Sequence, residues 1–193
     1  MATLVYGMNQ SLDGYVDHDR FAPDDVLFGH FITQARSLTG SIYGRRLYEL
    51  MHYWDVDQPG WTSAEKEFAE AWRRVPKWII STTLQQVGPN ATLVSSGAIG
   101  YLSELKARLS GEIEVGGTVL ARSLSDAGLI DEDRIYLHPA VLGNGTPFFN
   151  GFTPRLKLAD LERIGESAVR ISYVPATPGK PGGDSAQQAP LQE

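Results

Sequence analysis

Two points in the chain constrain its fold most. At each, a short strand-like run ends in glycine and a helical pattern starts at once. Ser41-Ile42-Tyr43 runs into Gly44-Arg45-Arg46, and Glu112 to Val115 runs into Gly116-Gly117-Thr118. A third run, Lys77 to Ser81, carries the apolar Trp78-Ile79-Ile80 and delivers the hydroxyls of Ser81, Thr82 and Thr83 at its end. Strands that alternate with helices in this way predict an α/β fold with a largely parallel sheet. In such sheets ligands bind outside the carboxyl ends of the strands.

The remaining pattern fits that frame. Thr3 to Met8 reads as a first strand. Asp24 to Leu38 reads as a helix, with Val26, Leu27, Phe31, Ala35 and Leu38 near helical spacing, opened by Pro23 or Asp24 and stopped by Gly40. Arg45 to Met51 is helical, and Thr62-Ser63-Ala64-Glu65 matches a capping box that opens a helix to about Arg74. Thr92 to Ser95 is a short strand, and Ile99, Leu102, Leu105 and Leu109 share one helical face. Thr118 to Ala127 is a helix stopped by Gly128, and Asp133 to His138 is a strand. Leu156 to Ile164 and Val169 to Val174 read as a closing hairpin, hence an antiparallel edge. Residues 1–174 form one domain on this reading. Residues 175–193 hold four prolines, three glycines and no aromatic residue, and are expected to be a disordered tail.

Composition closes off several function classes. The chain has 193 residues and a formal charge of -6, which suits neither a nucleic-acid partner nor an acidic surface. It has no cysteine, so disulfides, thiolate nucleophiles and cysteine metal sites are excluded. His18, His30, His52 and His138 lack a paired ligand spacing, and no metal site is expected. No targeting or membrane-spanning run is read, and the expected location is cytoplasmic.

Each candidate site residue has a bland alternative. The strand–Gly116–Gly117–Thr118–helix turn is a plausible pyrophosphate cradle, or only a turn. Arg45 and Arg46 place cations at a helix start, which an anion would explain and a solvated basic turn would also allow. Asp13, in Ser11-Leu12-Asp13-Gly14, either faces a ligand or holds its loop. The loop Leu142 to Phe149 could bend over a ligand or only reverse the chain. Tyr53, Trp54 and Trp61 read as a packed loop, with a lid as the alternative. Asp131-Glu132-Asp133 reads as a solvated cluster, and Arg73-Arg74 as complementing the end of its helix.

In combination the motifs are more specific. The ordered set Ser11-Leu12-Asp13-Gly14, Gly44-Arg45-x-x-Tyr48-Glu49, Lys77 to Thr82, Val115-Gly116-Gly117, and Gly128-Leu129-Ile130-Asp131-Glu132 followed by Pro139-x-x-Leu142-Gly143-x-Gly145 resembles one family. It is the reductase domain at the C-terminus of the riboflavin-biosynthesis deaminase-reductase, the RibD C-terminal domain, over roughly Ala2 to Val174. The resemblance implies a dihydrofolate-reductase-like three-layer α/β/α fold, NADPH, hydride transfer and a homodimer. It places Gly44 and Arg45 on cofactor phosphate, and Ser81 and Thr82 near the adenosine ribose or its 2′-phosphate. Gly116, Gly117 and Thr118 would cradle the pyrophosphate, and Asp13 would face the nicotinamide and substrate as the catalytic candidate.

Three departures bear on function. Leu47 stands where many relatives carry threonine. Val26-Leu27-Phe28 is apolar where dihydrofolate reductases place a pterin-binding carboxylate. The zinc deaminase half needs cysteines that this chain lacks. The expected activity is NADPH-dependent reduction of a small substrate, like that of a 5-amino-6-(5-phosphoribosylamino)uracil reductase. The alternatives are a dihydrofolate reductase-like enzyme and a nucleotide-binding protein without turnover.

Overall fold

The local signals for the helices recur in the three-dimensional structure, a computed structural model that describes residues 1–17, 20–166 and 168–176. Helix α1 (Asp25–Ser37) is capped by the Asp24 carboxylate, which accepts from the Leu27 N–H at 2.8 Å. Helix α3 (Ser63–Arg74) opens on the expected capping box: the Thr62 hydroxyl accepts from Glu65 N, and Glu65 accepts from Thr62 N. Gly40 does not stop α1. The helix already ends at Leu38, and Gly40 opens strand β2 (Gly40–Gly44), where a Cβ would lie 2.3 Å from the Trp78 ring.

The other elements are β1 (Thr3–Gln10), α2 (Arg45–Met51) with a 3-10 turn at His52–Asp55, β3 (Lys77–Ile80), β4 (Ala91–Val94), α4 (Ala98–Arg108), β5 (Glu112–Gly116), α5 (Thr118–Asp126), β6 (Glu132–Leu137), β7 (Leu156–Ile164) and β8 (Ala168–Pro175). The eight strands form one sheet in the order β4-β3-β2-β5-β1-β6-β8-β7. The first six are parallel, and β8 and β7 pair antiparallel as the expected hairpin. Residues 177–193, which hold most of the expected tail, lie outside the described residues, as does His18.

Alternation along the strands sends successive side chains to opposite faces. Leu4, Tyr6, Ile42, Ile113, Val115 and Ile135 pack against Leu102 and Leu105 of α4 and Leu120, Ala121 and Leu124 of α5. Each such burial is worth about 1.5–3 kcal/mol. The other face, under α1, α2 and α3, carries Gly7, Asn9, Ser41, Tyr43, Glu114 and Tyr136, and is incompletely filled. Helices therefore cover both faces, and the fold is a three-layer α/β/α sandwich. Among the described residues no helix is long and apolar enough to cross a membrane, and no three His, Asp or Glu side chains group to hold a metal ion.

The acidic run before β6 is not a solvated cluster. Asp131 accepts from Leu4 N at 2.8 Å and pairs with Lys106 at 2.6 Å. Glu132 pairs with Arg134. Because β6 begins at Glu132, alternation turns Asp133 into the core, where it is 2% exposed and its Oδ1 has no partner. Burial, with Glu132 nearby, pushes its pKa up to about 6.

Candidate active site

Two hollows are found among the described residues, one beyond the carboxyl ends of β3 and β4 and one over a face of the sheet. The first is a shallow cleft beyond β3 and β4, lined by Arg45, Ser81, Thr82, Thr83, Ser95, Ser96, Gly97 and Ala98. Arg45 is exposed, and its guanidinium touches only Glu49, at 3.8 Å. Ser81 is used locally: its Oγ accepts from Thr83 N at 3.2 Å and Leu84 N at 3.1 Å, which fixes the turn that presents Thr82. Helix α4 starts at this cleft with Gly97 as N-cap and no side-chain cap, so its first N–H groups are left for an anion. A guanidinium, several hydroxyls and open helix N–H groups are the donors that a phosphorylated nucleotide requires.

The second feature is the junction where β2 and β5 end side by side, Tyr43 level with Gly116. A Cβ on Gly117 would lie 3.7 Å from Gly44 N, so the two glycine turns touch backbone to backbone. Gly117 has φ +107, a conformation that L side chains rarely adopt. At Gly116 the constraint is space instead: a Cβ would lie 2.2 Å from Leu47 Cδ2 and 2.7 Å from the Tyr43 ring. Thr118 is buried, and its hydroxyl accepts from Asn150 Nδ2 at 3.2 Å. The structure thus brings Gly44, Arg45, Ser81, Thr82, Gly116, Gly117 and Thr118 to the carboxyl ends of the neighbouring strands β3, β2 and β5.

Asp13 is elsewhere. It sits beyond the end of β1, lines neither hollow, and accepts from Leu142 N at 3.1 Å and Gly143 N at 2.7 Å. The Ser11 hydroxyl first, then these backbone N–H groups, hold its pKa down at about 2. The glycine-rich loop is further zipped to the segment after β1 by Thr146 N on Asp17 at 2.8 Å and by Phe148 N on Gly14 O at 2.9 Å.

The other hollow is a cavity of about 250 Å³ between the sheet and α1, α2 and α3. Its walls are Phe28 and Phe31 of α1, Leu47 and Met51 of α2, Trp54, and Phe68 and Trp72 of α3. Trp54 settles the aromatic loop: it packs on Trp61 at 5.2 Å and on Phe68 at 4.8 Å, and it also faces the cavity. Arg73, read as complementing its helix end, instead donates to Trp54 O at 2.7 Å and fastens this wall.

One carboxyl reaches this apolar space, and sequence reasoning did not single it out. Glu114 projects from β5 and accepts at Oε2 from the Tyr43 hydroxyl at 2.5 Å and from Ser41 Oγ at 3.4 Å. Burial raises the Glu114 pKa and Glu112 adds to the rise, while the Tyr43 hydrogen bond opposes it. Burial and Glu114 together push the Tyr43 phenol well above its ordinary value. The indole Nε1 of Trp72, also buried, has no partner. The signal was present as a glutamate on the buried side of a strand whose neighbours at the same level are Ser41 and Val5. Asn9 completes the polar rim, with His138 Nε2 at 2.9 Å from its Oδ1.

Comparison with known proteins places the chain in a family and a fold. The chain is 26% identical over 176 residues to the uncharacterized protein YyaP of Bacillus subtilis (strain 168), covering 90% of this chain and 91% of that one. A Shewanella sp. PV-4 protein ascribed to riboflavin biosynthesis superposes with a TM-score of 0.67 at 22% identity, over 92% of this chain and all of that one. Dihydrofolate reductase from Enterococcus faecalis, solved with NADP(H), superposes with a TM-score of 0.61 at 12% identity, over 91% and 97% of the two chains. The profile of the RibD C-terminal domain matches residues 2–170, and the chain belongs to that family of reductase-like domains.

Proposed function

We propose that the protein is an NADPH-dependent reductase of a small substrate. The observation that carries this reading is the close approach of Gly44 to Gly117, flanked in the chain by Arg45 of the hydroxyl-lined cleft and Tyr43 of the apolar cavity. Arg45, Ser81 and Thr82 would hold the adenosine end and its 2′-phosphate, and Gly44, Gly116, Gly117 and Thr118 the pyrophosphate. NADPH supplies a hydride to an electrophilic C=O or C=N carbon. The cavity excludes water and orients that carbon, which supplies much of the rate. Asp13 is ionised at neutral pH, so its part is to hold the Leu142–Gly143 loop rather than to donate a proton. Glu114 is the group within the substrate cavity able to hold or pass a proton. Folate reduction is disfavoured, because the cavity face of α1 presents Phe28, Phe31 and Gln34 and no carboxylate.

A homodimer belongs with this reading. Strand β7 is a nine-residue edge strand whose outer side is unpaired, with Leu158 and Leu161 53% and 61% exposed. A long exposed edge of this kind favours strand pairing or face packing with a second copy. A cytoplasmic location and action without nucleic acid complete the proposal. Calorimetric titration with NADPH tests it: saturable binding of one NADPH per chain is expected, and no binding would remove the cofactor and with it the reductase.

A further inference from the structure

We infer that the substrate cavity takes a flat ring without phosphate, its polar edge held by Glu114, and excludes the phosphorylated ribosylaminopyrimidine handled by the riboflavin branch of the family. The inference takes the cavity as the substrate site of the reductase proposed above, and it concerns which molecule enters.

The walls decide the shape. Phe28, Phe31, Trp54, Phe68 and Trp72 line a space of about 250 Å³, enough for one or two fused rings stacked against aromatic faces. The electrostatics decide the charge. Glu114 is the only charged side chain among the described residues that line the cavity, and no lysine, arginine or histidine accompanies it. A phosphate group carried into such a space would lose its hydration with no cation to replace it, which is strongly unfavourable. The cations on the same face of the sheet are committed: Arg134 is held by Glu112 at 2.9 and 3.0 Å and by Glu132 at 2.8 Å, Lys77 donates to Trp72 O at 2.6 Å and Val75 O at 2.8 Å, and Arg170 pairs with Asp160 at 2.8 Å and Glu162 at 2.9 Å. One polar feature suits a ring edge. Tyr43 and Ser41 occupy only Oε2 of Glu114, which leaves Oε1 to accept from a ring N–H.

The test uses the full chain and its own tryptophans, because Trp54 and Trp72 line the cavity and report its occupancy. Three probes are titrated: quinazolin-4-one, the same ring with a hydroxyethyl arm at position 6, and the phosphate monoester of that arm. The ring and the alcohol are expected to bind, and the phosphate ester at least tenfold more weakly than the alcohol. Glu114→Leu is expected to weaken the ring by about tenfold. Tight binding of the phosphate ester overturns the inference, as does a failure of both neutral probes to bind or undiminished binding of the ring by Glu114→Leu. The probe comparison on the unmodified chain stands even if the variant does not fold. NADPH titrated into the same samples separates the two claims: lost cofactor binding with the ring retained strikes the reductase reading, and cofactor binding with the phosphate ester preferred strikes this one.

Discussion

The cleft and the cavity share only strand β2, and they are built in opposite ways. The cleft is made by residues that follow a strand end directly: Arg45 after β2, Ser81-Thr82-Thr83 after β3, Ser95-Ser96-Gly97 after β4. Its chemistry is therefore written in short contiguous motifs. The cavity is assembled from one to four residues on each of β1, β2, β5, β6, α1, α2 and α3, far apart in the chain. Its chemistry exists only after folding. The difference teaches that a set of backbone and hydroxyl donors is a local property of the chain, whereas the shape of an apolar cavity is a property of packing.

That contrast can be broken at the wall between the two hollows. Gly116→Val would push a side chain into Leu47 and the Tyr43 ring, an overpacking worth roughly 1–3 kcal/mol. It should lower Tm and abolish binding of NADPH and of a neutral ring together; loss of one alone would mean that the sites do not share this wall. Arg45→Ala should act on one side only. It should weaken NADPH by about tenfold to a hundredfold, from ~1.5–3 kcal/mol per charge-assisted hydrogen bond, and leave ring binding unchanged. Unchanged NADPH affinity by calorimetry would take Arg45 out of the cleft's function. Gly117 is a poorer probe, since its φ of +107 strains any L side chain with or without a ligand.

Two further changes should move stability and spare both hollows. Asp133 has its folded pKa raised to about 6, so the stability present below its unfolded value of about 3.9 is lost as pH rises through 6. Asp133→Asn cannot ionise. Its stability relative to the unmodified chain should therefore climb between pH 4 and pH 7, by an amount of order 1–3 kcal/mol. A difference that stays flat with pH would show that burial does not raise the Asp133 pKa above its unfolded value. The smallest effect is expected at Asp13, whose folded pKa is depressed to about 2. Its contribution is present above the unfolded value and lost as pH falls toward 2. Asp13→Asn should lower Tm slightly at pH 7, raise proteolytic cutting near Leu142–Gly143, and leave NADPH affinity intact. A large loss of affinity would return Asp13 to the ligand site.

The sequence carried the architecture because each element had a local cause. The Thr62–Glu65 capping box, the Asp24 cap and the glycines at 44 and 116–117 mark boundaries by chemistry within a few residues. It carried the candidate phosphate residues for the same reason. Glu114 was not legible as a site residue, because its meaning depends on Tyr43 and Ser41 of β2 and on Trp72 of α3, which only the sheet and the helix layer bring to it. Asp133 failed for a related reason. A run of three acids looks solvated until the first residue of β6 is known, and a one-residue change in that start decides which of the three faces the core.

Energy transfer from tryptophan to bound NADPH tests the two-hollow account most directly, because Trp54 and Trp72 line the cavity into which the nicotinamide should lead. With tryptophan excited and nicotinamide emission recorded, titration of the full chain with NADPH should give a saturable signal at one NADPH per chain. A saturating neutral ring should alter that signal without displacing the cofactor, and Arg45→Ala should shift the midpoint by at least tenfold. A signal that never saturates, or one that the ring abolishes by competition, would contradict the account, since cofactor and ring would then have no separate sites.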